Sequence, residues 1–320
     1  MTAPRFIGAD ELRARLGFEK LIEPMAEAFR LTSAGVAQNG LIVMFPGDTP
    51  EAGDVYVKSG ALPGRQLFVV KVAPWFAANV REGRPQGGFL AALDSETGHT
   101  RAIFSDEHYL SDIRTAAAGV LAARLFAPAR VRIAAVLGAG VQAYWQSLAL
   151  HRERPFESLL IWARDPSKAA ALAGRLAVRL ADVSIETVME IEPAVRTADV
   201  LVTATLSREP IVRGEWLRPG QHVTAVGADD PTKCELDAAC LERARVFVDA
   251  RETAAANGDV LRALQGGADL ARLVDGEIGE VLAGGVPGRM SAEDITIAKL
   301  VGLGAQDVAA AEAALSAFGL

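Results

Sequence analysis

The sequence predicts an α/β chain: a doubly wound parallel sheet, preceded by an α+β domain built on antiparallel strands. Three observations carry this. The stretch Val131-Arg132-Ile133-Ala134-Ala135-Val136-Leu137-Gly138-Ala139-Gly140-Val141-Gln142-Ala143 passes from an apolar run into Gly-Ala-Gly and then into a helix-forming segment. After it, strand-like runs alternate with helical patterns, as in a parallel sheet. Before it, short β-rich runs follow one another with turn residues between them, which suggests antiparallel pairing.

The bulk properties agree. At 320 residues the chain exceeds one small core, so two domains are expected. Half of it is apolar, and a net charge of −7 argues against nucleic acid or an anionic membrane as partner. Cys234 and Cys240 stand six apart without a partner pair, so neither a disulfide framework nor a metal site is indicated. Met1 to Phe6 lack a signal-peptide core, and no apolar run reaches the ~20 residues of a membrane span. The expectation is a soluble, cytoplasmic protein.

In chain order, Asp10–Leu16 and Phe18–Thr32 carry apolar residues at helical spacing. Leu41–Phe45, Asp54–Gly60, Leu67–Ala73, Gly88–Leu93 and Thr100–Phe104 read as strands, with Pro63-Gly64 and Ser95-Glu96-Thr97-Gly98 as turns. A long helix from about Asp106 to Ala127 ends at Pro128. Beyond Val131, strands are expected at Leu159–Ala163, Val183–Val188, Asp199–Thr205, His222–Gly227 and Val246–Ala250, with a helix at Pro166–Ala181. The alanine-rich stretch Asp294–Phe318 reads as a closing helix returning to the first domain. The expected division is residues 1–113 with 303–320 as a dimerisation and substrate domain, and 114–302 as a dinucleotide-binding domain.

The glycine stretch gives that second domain its chemistry. Gly138 allows a sharp turn, Gly140 lets a pyrophosphate approach the backbone, and Ala143 lets helix and strand pack closely. The free N–H groups and dipole of the helix starting at Val141 favour phosphate. At the end of the second strand, where NAD-specific folds place an acid, stands Ala163, followed by Arg164. Arg164, with Ser167 and Lys168 at the next helix start, suits the 2′-phosphate of NADP. Asp165 is the rival ribose ligand, although a residue before Pro166 also reads as a helix cap.

Three charges sit in apolar or small-residue settings. Lys71 lies in Leu67-Phe68-Val69-Val70-Lys71-Val72-Ala73 and is either snorkelling or functional. Arg114 precedes Thr115-Ala116-Ala117-Ala118-Gly119, either as a solvated helix charge or as a cation for a carboxylate or pyrophosphate. Asp229, in Gly227-Ala228-Asp229-Asp230-Pro231, leaves the C-terminal end of a parallel strand, where such sheets bind ligands. Its neighbour Asp230 fits an Asx-turn.

Taken together these segments resemble the ornithine cyclodeaminase/mu-crystallin family, which includes ketimine reductases and archaeal-type alanine dehydrogenases. The resemblance rests on Lys71, Pro74 and Asn79; Arg114-Thr115-Ala116-Ala117; Gly138 to Ala143; and Thr203-Ala204-Thr205 with Pro210-Ile211. It continues through Gly227 to Pro231 with Lys233 and Glu235-Leu236, and Glu293-Asp294-Ile295-Thr296, all in family order. It implies a homodimer with a Rossmann-type NAD(P) domain and a small amino acid or cyclic imine as substrate. It implies that Lys71, Arg114 and Asp229 are catalytic, with Lys71 and Arg114 also on the substrate. It further implies that Gly138, Gly140, Val141 and Gln142 hold the pyrophosphate, with Thr115, Thr205 and Val226 near the nicotinamide or its ribose.

One departure qualifies this. The cyclodeaminases of the family carry an additional carboxylate-binding arginine, yet Leu31 to Val57 contains no lysine or arginine. Lys58 is the nearest cation and the candidate replacement. The favoured expectation is an oxidoreductase acting on a Cα–N bond with NADP, or less favourably NAD. The alternatives are ornithine cyclodeamination with recycled cofactor, and an NADPH-dependent small-molecule binder without turnover.

Overall fold

A computed structural model describes residues 3–47, 49 and 52–320. The chain forms two compact units, Met1–Arg114 with Leu303–Leu320, and Thr115–Gly302.

The first unit is built on a six-stranded mixed sheet. Its strands are β1 (Arg5–Gly8), β2 (Gln38–Met44), β3 (Gly53–Ala61), β4 (Leu67–Phe76), β5 (Phe89–Asp94) and β6 (Thr100–Ser105), in the order β1-β6-β5-β4-β3-β2. The five expected strands pair antiparallel in sequence order. A sixth, β1, adds parallel to β6. Four residues with two exposed gave too little alternation to be read as a strand. Helices Ile22–Ser33 and Gly304–Ala317 pack together, and the latter lies on β3 and β4. The approach is close because both contact residues are glycines: a Cβ on Gly60 or Gly304 would overlap the other's backbone.

Alternation then decides what the covered face holds. On β3 the buried residues include Asp54, Tyr56, Lys58 and Gly60; on β4 they are Leu67, Val69 and Lys71. Register pairs Lys58 directly with Lys71. Two lysines therefore share a buried face.

The second unit has eight parallel strands: β7 (Ile133–Leu137), β8 (Ser158–Trp162), β9 (Ser184–Thr187), β10 (Val200–Thr203), β11 (His222–Ala225), β12 (Arg245–Val248), β13 (Gly276–Glu277) and β14 (Thr296–Lys299). Their order is β13-β12-β14-β11-β10-β7-β8-β9. From β7 the chain steps outward through β8 and β9, then returns to β10 on the other side and steps out through β11. The reversal falls between β7 and β10, the switch point where open α/β sheets bind ligands.

The closing helix expected over Asp294–Phe318 is corrected. Thr296–Lys299 is instead strand β14, paired on both sides by β11 and β12, and the helix is confined to Gly304–Ala317. Ile295, Thr296 and Ile297 are β-branched and buried, which suits a central strand. Gly302, at φ +89°, breaks the chain before the helix begins. Among the described residues no helix is long and apolar enough to cross a membrane.

Candidate active site

The predicted site residues fall into two groups, one in each unit. In the first unit the helix that begins at Tyr109 brings Arg114 to the same carboxylate as Lys71. That carboxylate belongs to Asp307, in the first turn of helix Gly304–Ala317. Lys71 Nζ lies 2.8 Å from both Asp307 oxygens and donates to Ser111 Oγ at 3.0 Å. Arg114 Nε is 3.4 Å from Asp307 Oδ1, and its Nη1 donates to Gln306 Oε1 at 3.5 Å. Arg114 is thus buried, which removes the reading of a solvated helix charge.

Electrostatics follow from burial. Removal from water lowers the Lys71 amine, opposed by the Asp307 charge. Burial would raise the Asp307 carboxyl, but Lys71, Arg114 and Lys58 together hold it below the usual carboxylate range. His108 is pushed down to about 4 by burial and by the charge of Lys71.

In the second unit the glycine turn adopts the expected form. Gly138 has φ +128°, and a Cβ there would overlap the Ala204 carbonyl at the exit of β10. Gly140 caps helix Val141–Glu153, and its missing Cβ would point into open space. Ala143 is fully buried against the strand layer, while Val141 is exposed. Gln146 Nε2 donates to the Thr115 carbonyl at 2.8 Å and to Gln142 Oε1 at 3.4 Å, placing Thr115 beside this turn. The open space at Gly140 and its place at the start of helix Val141–Glu153 fit a pyrophosphate.

At the end of β8, Ala163 is half-buried, and Arg164 and Lys168 are exposed. Asp165 caps the following helix: its Oδ1 accepts from Ser167 N at 3.0 Å and Ser167 Oγ at 2.6 Å. One oxygen of the rival ribose ligand is therefore engaged locally.

The exits of β10 and β11 are tied together by Glu235, which the sequence offered only as part of the family motif and with no role. It accepts from Thr203 Oγ1, Thr205 N, Thr205 Oγ1 and Gly227 N at 2.6–2.9 Å. Val226 is buried beside this junction. Asp229 is half-buried and pairs with Lys233 Nζ at 2.8 Å. Asp230 accepts from Thr232 N and Lys233 N, the expected Asx-turn. Below the loop, fully buried Lys299 donates to the Ala228 carbonyl and pairs with Asp259 Oδ2 at 3.0 Å. Burial disfavours its charge, yet Asp259 and Glu235 raise its pKa.

Asp307 and Lys299 were missed because both lay in the stretch read as one helix. Asp307 still had a signal, a charge within the apolar run Ala305-Gln306-Asp307-Val308-Ala309. Glu235 stood in the family motif, but its role was not legible there, since only the tertiary fold brings it to Thr203 and Gly227.

Comparison with known proteins gives the family. Residues 6–315 match the ornithine cyclodeaminase/mu-crystallin family. The chain belongs to that family. A putative dehydrogenase of Rhizobium meliloti is 38% identical over 320 residues, covering 99% of this chain and 96% of that protein. The Δ1-pyrroline-2-carboxylate reductase of Thermococcus litoralis, solved with NADH and L-proline, superposes with a TM-score of 0.91 at 27% identity, covering 98% of this chain and 97% of that one. An archaeal alanine dehydrogenase dimer with bound NAD gives a TM-score of 0.88 at 31% identity, covering 98% and 95%. The ornithine cyclodeaminase/mu-crystallin fold thus spans nearly the whole chain.

Proposed function

We propose that this family member is an oxidoreductase acting on the Cα–N bond of a small amino acid or cyclic imine, with NADPH preferred over NADH. The observation that carries the reading is the buried Lys71–Asp307–Arg114 cluster, in a chain that also has the Gly138–Gly140 turn. Burying two cations on one carboxylate is costly unless they serve a ligand or a structural need. Relatives reported with NADH and L-proline, or with NAD, support a nicotinamide cofactor and an amino-acid product.

In this reading Gly138, Gly140, Val141 and Gln142 hold the pyrophosphate, with Thr115, Thr205 and Val226 toward the nicotinamide. A nicotinamide held there would supply hydride chemistry at the substrate Cα. Arg114 binds the substrate carboxylate, as a guanidinium does best. Lys71 donates a hydrogen bond or proton to the reacting nitrogen, and Asp229 accepts a proton from an amine or water. Lys58, directly opposite Lys71, adds a second cation for the carboxylate. Arg164 and Lys168 bind the 2′-phosphate.

The Lys58–Lys71 pair disfavours a substrate bringing a second ammonium group, which weighs against ornithine. A homodimer is also proposed, supported by the dimeric alanine dehydrogenase and by edge strand β2, which exposes Ile42 and Met44. The test is a panel of amino acids and cyclic imines followed at the nicotinamide absorbance with both cofactors. Stoichiometric cofactor turnover with a cyclic imine or small amino acid is expected. Ammonia release from ornithine without net cofactor change would instead establish the cyclodeaminase.

A further inference from the structure

Lys71 Nζ donates to Asp307 Oδ1 at 2.8 Å and to Ser111 Oγ at 3.0 Å, with Asp307 Oδ2 also 2.8 Å away. An amine so surrounded uses its donors best as an ammonium, which has three of them. Arg114 approaches the same carboxylate from the other element, and Gln306, next to Asp307, meets its Nη1. Both cations are anchored by adjacent residues in one helical turn. That turn is fixed on β3 by the Gly60–Gly304 approach, and the Ala305 amide donates to Asn39 Oδ1 at 2.7 Å.

We infer that Asp307 is a positioning residue, which holds Lys71 as the proton-bearing partner of the reacting nitrogen and aims Arg114 for the carboxylate. The inference rests on the roles proposed above for Lys71 and Arg114. It assigns a division of labour: Lys71 gives a proton or hydrogen bond, and proton acceptance falls to another group.

Other charges face Lys71 as well. Arg114, on the helix from Tyr109, and Lys58, on β3, oppose its charge; Asp106, before that helix, favours it. His108 lies within its field and is neutral above about pH 4. On β5 its register partner is apolar Leu90. Asp307 is the carboxylate in direct contact, so its removal should have the largest effect.

The test reads Lys71 itself and needs no substrate. In the full-length protein, lysines carrying ¹³C at Cε are titrated by NMR, and the Lys71 signal is assigned by its loss in Lys71→Met. The wild type should show the charged form at neutral pH. In Asp307→Asn the titration midpoint should fall by about 1–3 on the pH scale, the effect of losing a close opposite charge. Asp307→Glu should restore most of it. A neutral Lys71 in the wild type at neutral pH would overturn the inference, even if the Asn variant did not fold. So would an unchanged midpoint in a folded Asn variant, whose role would then be structural. Failure of the underlying reading looks different: Lys71→Met would turn over its substrate at the wild-type rate, whatever the titration shows.

Discussion

Lys71, Arg114 and Asp229 are each held by a partner of opposite charge, so removing any one leaves a counter-charge behind. Alanine at each should lower turnover at least ~100-fold, the scale of a lost general acid or base. Lys71→Ala and Asp229→Ala should leave NADPH affinity intact, as titration of cofactor fluorescence would show. Wild-type turnover in any of the three removes that residue from the mechanism. Buried histidines give a second expectation. His222 bonds to Thr296 and Thr224, and burial depresses its pKa to about 3; His108 is depressed to about 4. Both remain neutral in the folded chain, whereas an unfolded histidine charges near pH 6.5. Their contribution is present above pH 6.5 and is lost as pH falls toward the folded values. Thermal melts should therefore drop progressively from neutral pH to pH 4. A flat melting temperature across that window would contradict this. The sequence made Lys71 and Arg114 legible as charges in apolar company; it left Asp307 unread, because an alanine-rich run disguised a buried carboxylate as a helix-surface residue.

At the scale of elements, the loop after β8 is where the proposed cofactor choice is tested. Arg164 should give at least a ~10-fold preference for NADPH over NADH, the value of one charge-assisted bond to phosphate. Arg164→Ala should erase it mainly by weakening NADPH. Asp165→Ala should lower the melting temperature by removing the cap on Ser167 and leave the preference in place. Equal or tighter NADH binding by the wild type would make Asp165 the ribose ligand. Strand and helix periodicity made most elements readable, and the glycine turn was readable because Gly138, at φ +128° and against the Ala204 carbonyl, tolerates no side chain. Two elements resisted. Four-residue β1 is too short for a pattern, and β14 is just as short and runs on into an alanine-rich helix, so its pairing with two neighbours in the sheet is what separates it from that helix.

For the whole molecule, the edge of the first sheet and the net charge of −7 bear on partners. Sedimentation at micromolar concentration should show a dimer, and a monomer would sink that expectation. The charge should leave the protein without affinity for DNA at physiological salt. Isotope labelling follows the proposed hydride transfer itself. The chain is supplied with NADPH deuterated at the transferable C4 position and a panel of cyclic imines that includes Δ1-pyrroline-2-carboxylate. The amino-acid product should carry one deuterium at Cα for each NADPH consumed. Consumption of an imine with no deuterium at Cα, or turnover of ornithine with the label still on the cofactor, would contradict it.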